Sequence, residues 1–133
     1  MKNRKENSPM EIYIHIPFCI RKCDYCDFLS GPSGPKEQAD YVQALLREIQ
    51  AAEEGEGRSV SSIFIGGGTP SVLDERLLGD ILREIRNRFK MKEDAEITIE
   101  VNPGTANIGK LQAYREMGIN RLSIGLQSLR TGS

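Results

Sequence analysis

Apolar residues recur along this chain with two periods that take turns. In "EIYIHI" (11–16) every second position is apolar, and the run stops at Pro17, which has no amide to give to a ladder, so it predicts a strand. A loop dense in glycine and proline, "LSGPSGPK", separates it from a stretch running from about Glu37 to Glu54. There Tyr41, Val42, Leu45, Leu46 and Ile49 fall at helical spacing until "EGEGRS" breaks the pattern. The unit then repeats. "SSIFI" (61–65) reads as a strand ending in "GGGTPS", and Ser71 followed by Asp74 predicts a helix N-cap with an acidic first turn. Leu73, Leu77, Leu78, Ile81, Leu82, Ile85 and Phe89 place one apolar face over about five turns. "EITIEV" (96–101) is a third strand closed by "NPG", a short helix from about Asn107 to Met117 has Gly118 as its C-cap, and "RLSIGLQ" (121–127) begins a fourth strand.

Strands alternating with helices through short connections imply right-handed crossovers and a parallel sheet, hence an α/β fold: half of a barrel, or a small open sheet. Parallel strands covered by helices on both sides are usually apolar on both faces. These are not. Ile12, Ile14 and Ile16 leave Tyr13 and His15 on the other side; Ile97, Ile99 and Val101 oppose Thr98 and Glu100; Leu122, Ile124 and Leu126 oppose Ser123, Gly125 and Gln127. One face packs helices and the other is polar, and an unpaired buried polar group costs roughly 1–3 kcal/mol, so water or a ligand should fill that side. The carboxyl-terminal ends of the strands carry unusual residues: cysteines after the first, glycines after the second, Glu100 and "NPG" at the third, Gln127 at the fourth. In barrel-type α/β folds that rim holds the active site.

Composition changes this picture little. The chain has 133 residues, 38% hydrophobic and 28% charged, ordinary for a globular domain. Its 18 basic and 19 acidic residues are well mixed, for a net charge of -1, so no basic stripe points to nucleic acid or an anionic membrane. "MKNRKENSPM" lacks the apolar stretch of a signal peptide, and no run approaches the roughly 18 apolar residues of a membrane span. The expected address is therefore cytoplasmic. Residues 1–10 read as a polar N-terminal tail and 11–133 as a single core domain.

Chemistry concentrates in "HIPFCIRKCDYCDF" (15–28), where Cys19, Cys23 and Cys26 follow the first strand at CxxxCxxC spacing. Disulfides rarely persist in the cytosol, so this cluster points to metal or redox chemistry. Three thiolates can hold three irons of a four-iron cluster and leave the fourth open. Structural zinc would need His15 or Asp24 as a fourth ligand, and a disulfide with a spare thiol is the other alternative. Arg21 and Lys22 are either modulators of the thiolates or solvated loop residues. "GGGTP" (66–70) has no GK[ST] and no third fingerprint glycine, so it is neither a phosphate loop nor a dinucleotide motif. It is either a tight turn or a place where backbone approaches a small ligand with amino and carboxylate groups. Glu100 suits a hydroxyl or ammonium partner, or is simply a charged residue near a strand end.

Together "YIHIPFCIRKCDYCDF", "IFIGGGTPS", "ITIEVNP" and "INRLSIGLQS", in this order over most of residues 11–128, resemble the N-terminal part of radical S-adenosylmethionine (SAM) proteins. More narrowly the chain is similar to the oxygen-independent coproporphyrinogen III oxidase-like family, which includes heme chaperones. The resemblance implies the first half of a partial TIM-type barrel with four parallel strands and three crossover helices. It implies that Cys19, Cys23 and Cys26 ligate a [4Fe-4S] cluster whose open iron is chelated by the amino and carboxylate groups of SAM. It places Gly67, Gly68 and Thr69 at the methionine moiety, Tyr25 beside the adenine through its backbone, and Tyr13, Glu100 and Gln127 among the other SAM contacts. In the family, reductive cleavage of SAM yields a radical that abstracts hydrogen from substrate. The decarboxylating oxidase has a fourth cysteine two residues after the third, where this chain has Phe28. The resemblance thereby favours a heme chaperone, which binds heme and passes it to acceptor proteins, with an electron donor as a further partner; the oxidase is the alternative. A complete barrel of this kind takes about 250 residues. The expectation is that the second half of the barrel and the C-terminal domain lie outside this chain, which alone would be inactive.

Overall fold

The computed structural model describes residues 9–18, 34–52, 58–104 and 106–124. Strand β1 (Met10–Ile16) leads to helix α1 (Pro35–Ala51), β2 (Ser59–Gly67), a 3-10 turn (Pro70–Val72), α2 (Glu75–Arg88), β3 (Lys90–Val101), α3 (Ile108–Glu116) and β4 (Arg121–Ile124). All four strands are parallel and lie in sequence order, as expected for successive crossovers.

One face of the sheet carries the core. Ile14 and Ile16 of β1, Val60, Ile63 and Ile65 of β2, and Ile97, Ile99 and Val101 of β3 are buried against Leu78, Ile81, Leu82 and Ile85 of α2, with Val42 of α1 and Tyr114 of α3 closing the ends. The helical spacing in α2 therefore does what its sequence implies: residues three and four apart line one stripe. Its N-cap is Asp74, whose carboxylate accepts the Arg76 amide at 2.9 Å. Ser71, expected in that role, is instead fully buried in the 3-10 turn, where its hydroxyl accepts the Asn102 amide at 3.4 Å. The six residues between the glycines and the helix leave room for a separate turn, and the carboxylate next to the helix took the cap.

Three other departures have local causes. Strand β3 begins at Lys90, six residues earlier than the alternating pattern: Lys90 and Met91 already pair with Ser59 and Val60, and the register then jumps to Ser62 opposite Glu96. The intervening "KEDA" carries no period that could announce a strand. Thr98, assigned to the polar face, is buried because its register neighbours Phe64 and Arg121 stand beside it with longer side chains. Leu122 and Ile124, expected to pack a helix, are 42% and 54% exposed, since β4 is the outer strand and no described helix crosses it.

The helices are tied together near the strand ends. Buried Gln38 of α1 accepts the Asp74 amide at 3.2 Å. Lys110 of α3 donates to Glu75 Oε1 at 2.9 Å and to the Leu73 carbonyl at 3.4 Å, and the Lys110 hydrogen bond holds the Glu75 carboxyl below its ordinary range. A depressed carboxylate stabilises the fold above its ordinary pKa of about 4.3 and loses that contribution as pH falls through the lowered value. Lys110→Met is expected to cost about 1 kcal/mol at neutral pH, the figure kept small because Glu75 is partly solvated. Thermal unfolding of both proteins between pH 7 and pH 3 should show the gap narrowing on the acid side; a gap independent of pH would contradict the pairing.

Candidate functional site

The glycines of "GGGTP" form the end of β2 and the turn after it, and they are fastened to β1. Gly68 N–H donates to the Ile16 carbonyl at 2.8 Å and Thr69 N–H to the Phe18 carbonyl at 2.6 Å. Gly67 adopts φ +120°, and a Cβ built there would meet the Ile16 carbonyl oxygen at 2.6 Å and His15 Nδ1 at 2.8 Å. Only glycine suits both the conformation and the close approach. Tyr41 of α1 secures the same corner: its hydroxyl donates to the His15 carbonyl, and its ring meets Phe18 edge-on with centroids 5.6 Å apart.

Glu100 reaches this turn from β3. Its Oε1 accepts the Gly67 amide at 3.2 Å. Pairing of Ile65 with Ile99 sets Gly66 beside Glu100, and Glu100 pairs in turn with Ser123 of β4. A Cβ at Gly66 would lie 3.0 Å from Glu100 Oε1, from the Tyr13 hydroxyl and from Phe64 Cε1, so three side chains close in on this buried position and leave no room for a fourth. A cleft of about 190 Å³ opens here at the strand ends, lined by Gly67, Gly68, Thr69, Glu100, Asn102 and Ser123 among others, with Glu100 its one charged side chain among the described residues. A carboxylate with one oxygen engaged and the remaining lone pairs directed to a polar cleft suits a ligand bearing an ammonium or hydroxyl donor. A larger groove of about 740 Å³ runs along α3 and β4 past Ile108, Leu111, Ile119 and Leu122; most of its exposed lining is apolar, with Arg115 and Arg121 among its polar residues, and it holds none of the site residues singled out in the sequence.

Of the residues singled out in the sequence, Tyr13, Gly67, Gly68, Thr69 and Glu100 are thus gathered at the carboxyl-terminal ends of β1, β2 and β3. Cys19, Cys23, Cys26, Tyr25 and Gln127 lie outside the described residues. The ends that flank the cysteine segment are described: Phe18 is bonded to Thr69, and Gly34 caps α1, whose Gln38 holds Asp74. Sequence reasoning passed over Gly66 and Phe64 as contributors. Their signal was the same period of two that placed Tyr13 on the polar face, since both share the parity of Ser62 on β2, opposite the buried Ile63 and Ile65.

The Radical SAM superfamily model matches residues 13–131. The heme chaperone HemW of Escherichia coli (strain K12) is 46% identical over 122 residues, an alignment covering 90% of this chain and 32% of that protein. The oxygen-independent coproporphyrinogen III oxidase of the same organism is 37% identical over 126 residues, covering 93% and 28%. The solved structure of coproporphyrinogen III oxidase from Escherichia coli, described as a radical SAM enzyme, superposes with a TM-score of 0.75 at 34% identity, over 92% of this chain and 29% of that one. The chain spans about a third of the length of these relatives. With a family match that runs from β1 past β4 and a solved relative that superposes over 92% of this chain, the chain belongs to the radical SAM superfamily.

Proposed function

We propose that this chain forms the N-terminal part of the core of a radical SAM heme chaperone, binding a [4Fe-4S] cluster and SAM at the strand-end cleft. The observation that carries the ligand site is the convergence of the Gly67 amide, the Gly68–Thr69 turn and the Glu100 carboxylate in one cleft beside the chain's entry to its cysteine segment. The residues fit the group. Cys19, Cys23 and Cys26 are three thiolates for three irons, and the adjoining turn offers backbone and a carboxylate to a ligand with amino and carboxylate ends. When bound, the cluster supplies the electron for reductive cleavage of SAM. In this reading Glu100 accepts hydrogen bonds from ligand hydroxyl or ammonium groups, Gly67, Gly68 and Thr69 let backbone approach the methionine end, and Tyr13 and Gln127 flank it. Tyr25 lies by the adenine.

Heme transfer rather than porphyrinogen oxidation is supported by 46% identity to the chaperone against 37% to the oxidase, and by Phe28 in place of a fourth cysteine. Heme-acceptor proteins, an electron donor and a cytoplasmic address belong to the same reading. No helix among the described residues is long and apolar enough to cross a membrane. The oxidase is the second reading, favoured by the solved relative's identity as a coproporphyrinogen III oxidase. Anaerobic reconstitution of the full-length protein should yield about four irons and four sulfides per chain. Cys23→Ala should lose most of that iron and its visible absorbance; a cluster surviving that change intact would overturn the ligand assignment. A saturable hemin titration without conversion of coproporphyrinogen III is expected of the chaperone, and conversion without saturable heme binding would return the assignment to the oxidase.

A further inference from the structure

Tyr13 is 59% exposed on the outer strand β1, and among the described residues no hydrogen bond fixes its hydroxyl, yet that hydroxyl closes to 3.0 Å on the Cβ position of Gly66, as the Glu100 carboxylate does. An exposed tyrosine on an edge strand ordinarily samples several rotamers. What holds this one is Phe64. The two residues are register partners across β1 and β2, and their rings stack with centroids 5.9 Å apart and planes 14° from parallel. His15, the other ring near Tyr13, lies at 6.3 Å and is tilted by 37°. Phe64 is itself part of the convergence, with Cε1 at 3.0 Å from the Gly66 position.

We propose that Phe64 is a positioning residue, which acts through Tyr13 by stacking on its ring and aiming the phenol at the Cβ position of Gly66, on which Glu100 also closes. The proposal rests on the SAM-site reading above and adds to it a residue to which that reading gave no role. An aromatic wall beside a carboxylate suits a ligand that brings a cation or hydrogen-bond donors, as SAM does. Pre-aiming the phenol removes the ordering cost that binding would otherwise carry. Packing of a stacked aromatic pair corresponds to a few-fold to about tenfold change in an equilibrium.

The test uses the full-length, cluster-loaded protein under anaerobic conditions, with SAM as the probe and its Kd read by calorimetry. Phe64→Leu and Phe64→Met should each weaken SAM binding about threefold to tenfold with iron content unchanged, and Phe64→Tyr, which keeps the ring, should restore it to within about twofold. In a Tyr13→Leu background Phe64→Leu should have no further effect, because the residue through which it acts is gone. A fluorine label on the Tyr13 ring should also shift and sharpen or broaden in the ligand-free Phe64→Leu protein, whatever that variant does to affinity. Equal losses in both backgrounds, an unchanged Kd in both ring-less variants, or an unmoved fluorine signal would overturn the positioning role. Absence of SAM binding by the unmodified protein would overturn the SAM-site reading and this proposal with it, whereas binding that ignores Phe64 would overturn this proposal alone.

Discussion

Gly67→Ala is expected to destabilise the protein by about 3 kcal/mol and to open the strand-end cleft. Its φ of +120° is a conformation that side-chain-bearing residues adopt only with strain, and the added methyl would press on the Ile16 carbonyl oxygen at 2.6 Å and the Ile16 amide nitrogen at 2.9 Å. Those atoms are backbone of the β1–β2 ladder, so they cannot swing aside as a flexible side chain would. Relief requires the turn to move, which breaks the Gly67–Glu100, Gly68–Ile16 and Thr69–Phe18 hydrogen bonds together. Gly79→Ala is the contrast. That glycine lies inside α2 with the Met117 methyl, 3.9 Å away, as its nearest contact, and alanine there should stabilise by up to about 1 kcal/mol through helix propensity. Thermal or denaturant unfolding of the two variants measures both effects. A Gly67→Ala protein as stable as its parent would show that the turn is not built as described.

Asn120→Ala should cost about 2–3 kcal/mol, more than its exposed position suggests. Its side chain acts as an extra strand residue: Oδ1 accepts the Ile97 amide at 2.9 Å and Nδ2 donates to the Ala95 carbonyl at 3.0 Å, while its own amide donates to the Ile97 carbonyl at 3.0 Å. Ile97 and Ala95 are both buried, so removing the amide side chain leaves a donor and an acceptor without partners in the sheet. Asn120→Asp keeps the acceptor but places a carboxylate oxygen against the Ala95 carbonyl, and it should recover only part of the loss. Chemical denaturation of the three proteins tests this. A loss from alanine within about 0.5 kcal/mol of zero, the range of an ordinary surface change, would contradict it.

The sheet was legible where one face meets helices and the other does not. The period of two in "EIYIHI" and "EITIEV" and the period of 3.6 across Leu78 to Ile85 are direct consequences of one-sided burial, and the structure keeps both. Legibility failed where a backbone partner rather than burial decided the outcome. Lys90 and Met91 join β3 because Ser59 and Val60 present an open ladder to them, and Asn120 joins because its amide group has the shape of a peptide. No periodicity of their own records either. At the site, Gly67, Thr69 and Glu100 were readable from strand ends and glycine spacing, whereas the convergence on Gly66 appears only when three strands are brought into register.

The fastening of Phe18 to Thr69 and of Gln38 to Asp74 has an entropic side. Both anchors flanking the cysteine segment are gripped by one stretch, residues 69–74, so the closure of that loop is already achieved by the folded sheet before any ion arrives. Closing a free loop of similar length would cost an ion-binding step on the order of (3/2)RT ln n, or about 2–3 kcal/mol. The same tether runs in reverse. Under the proposed cluster assignment, loading the cysteine segment should raise the melting temperature, and stripping it should lower it again.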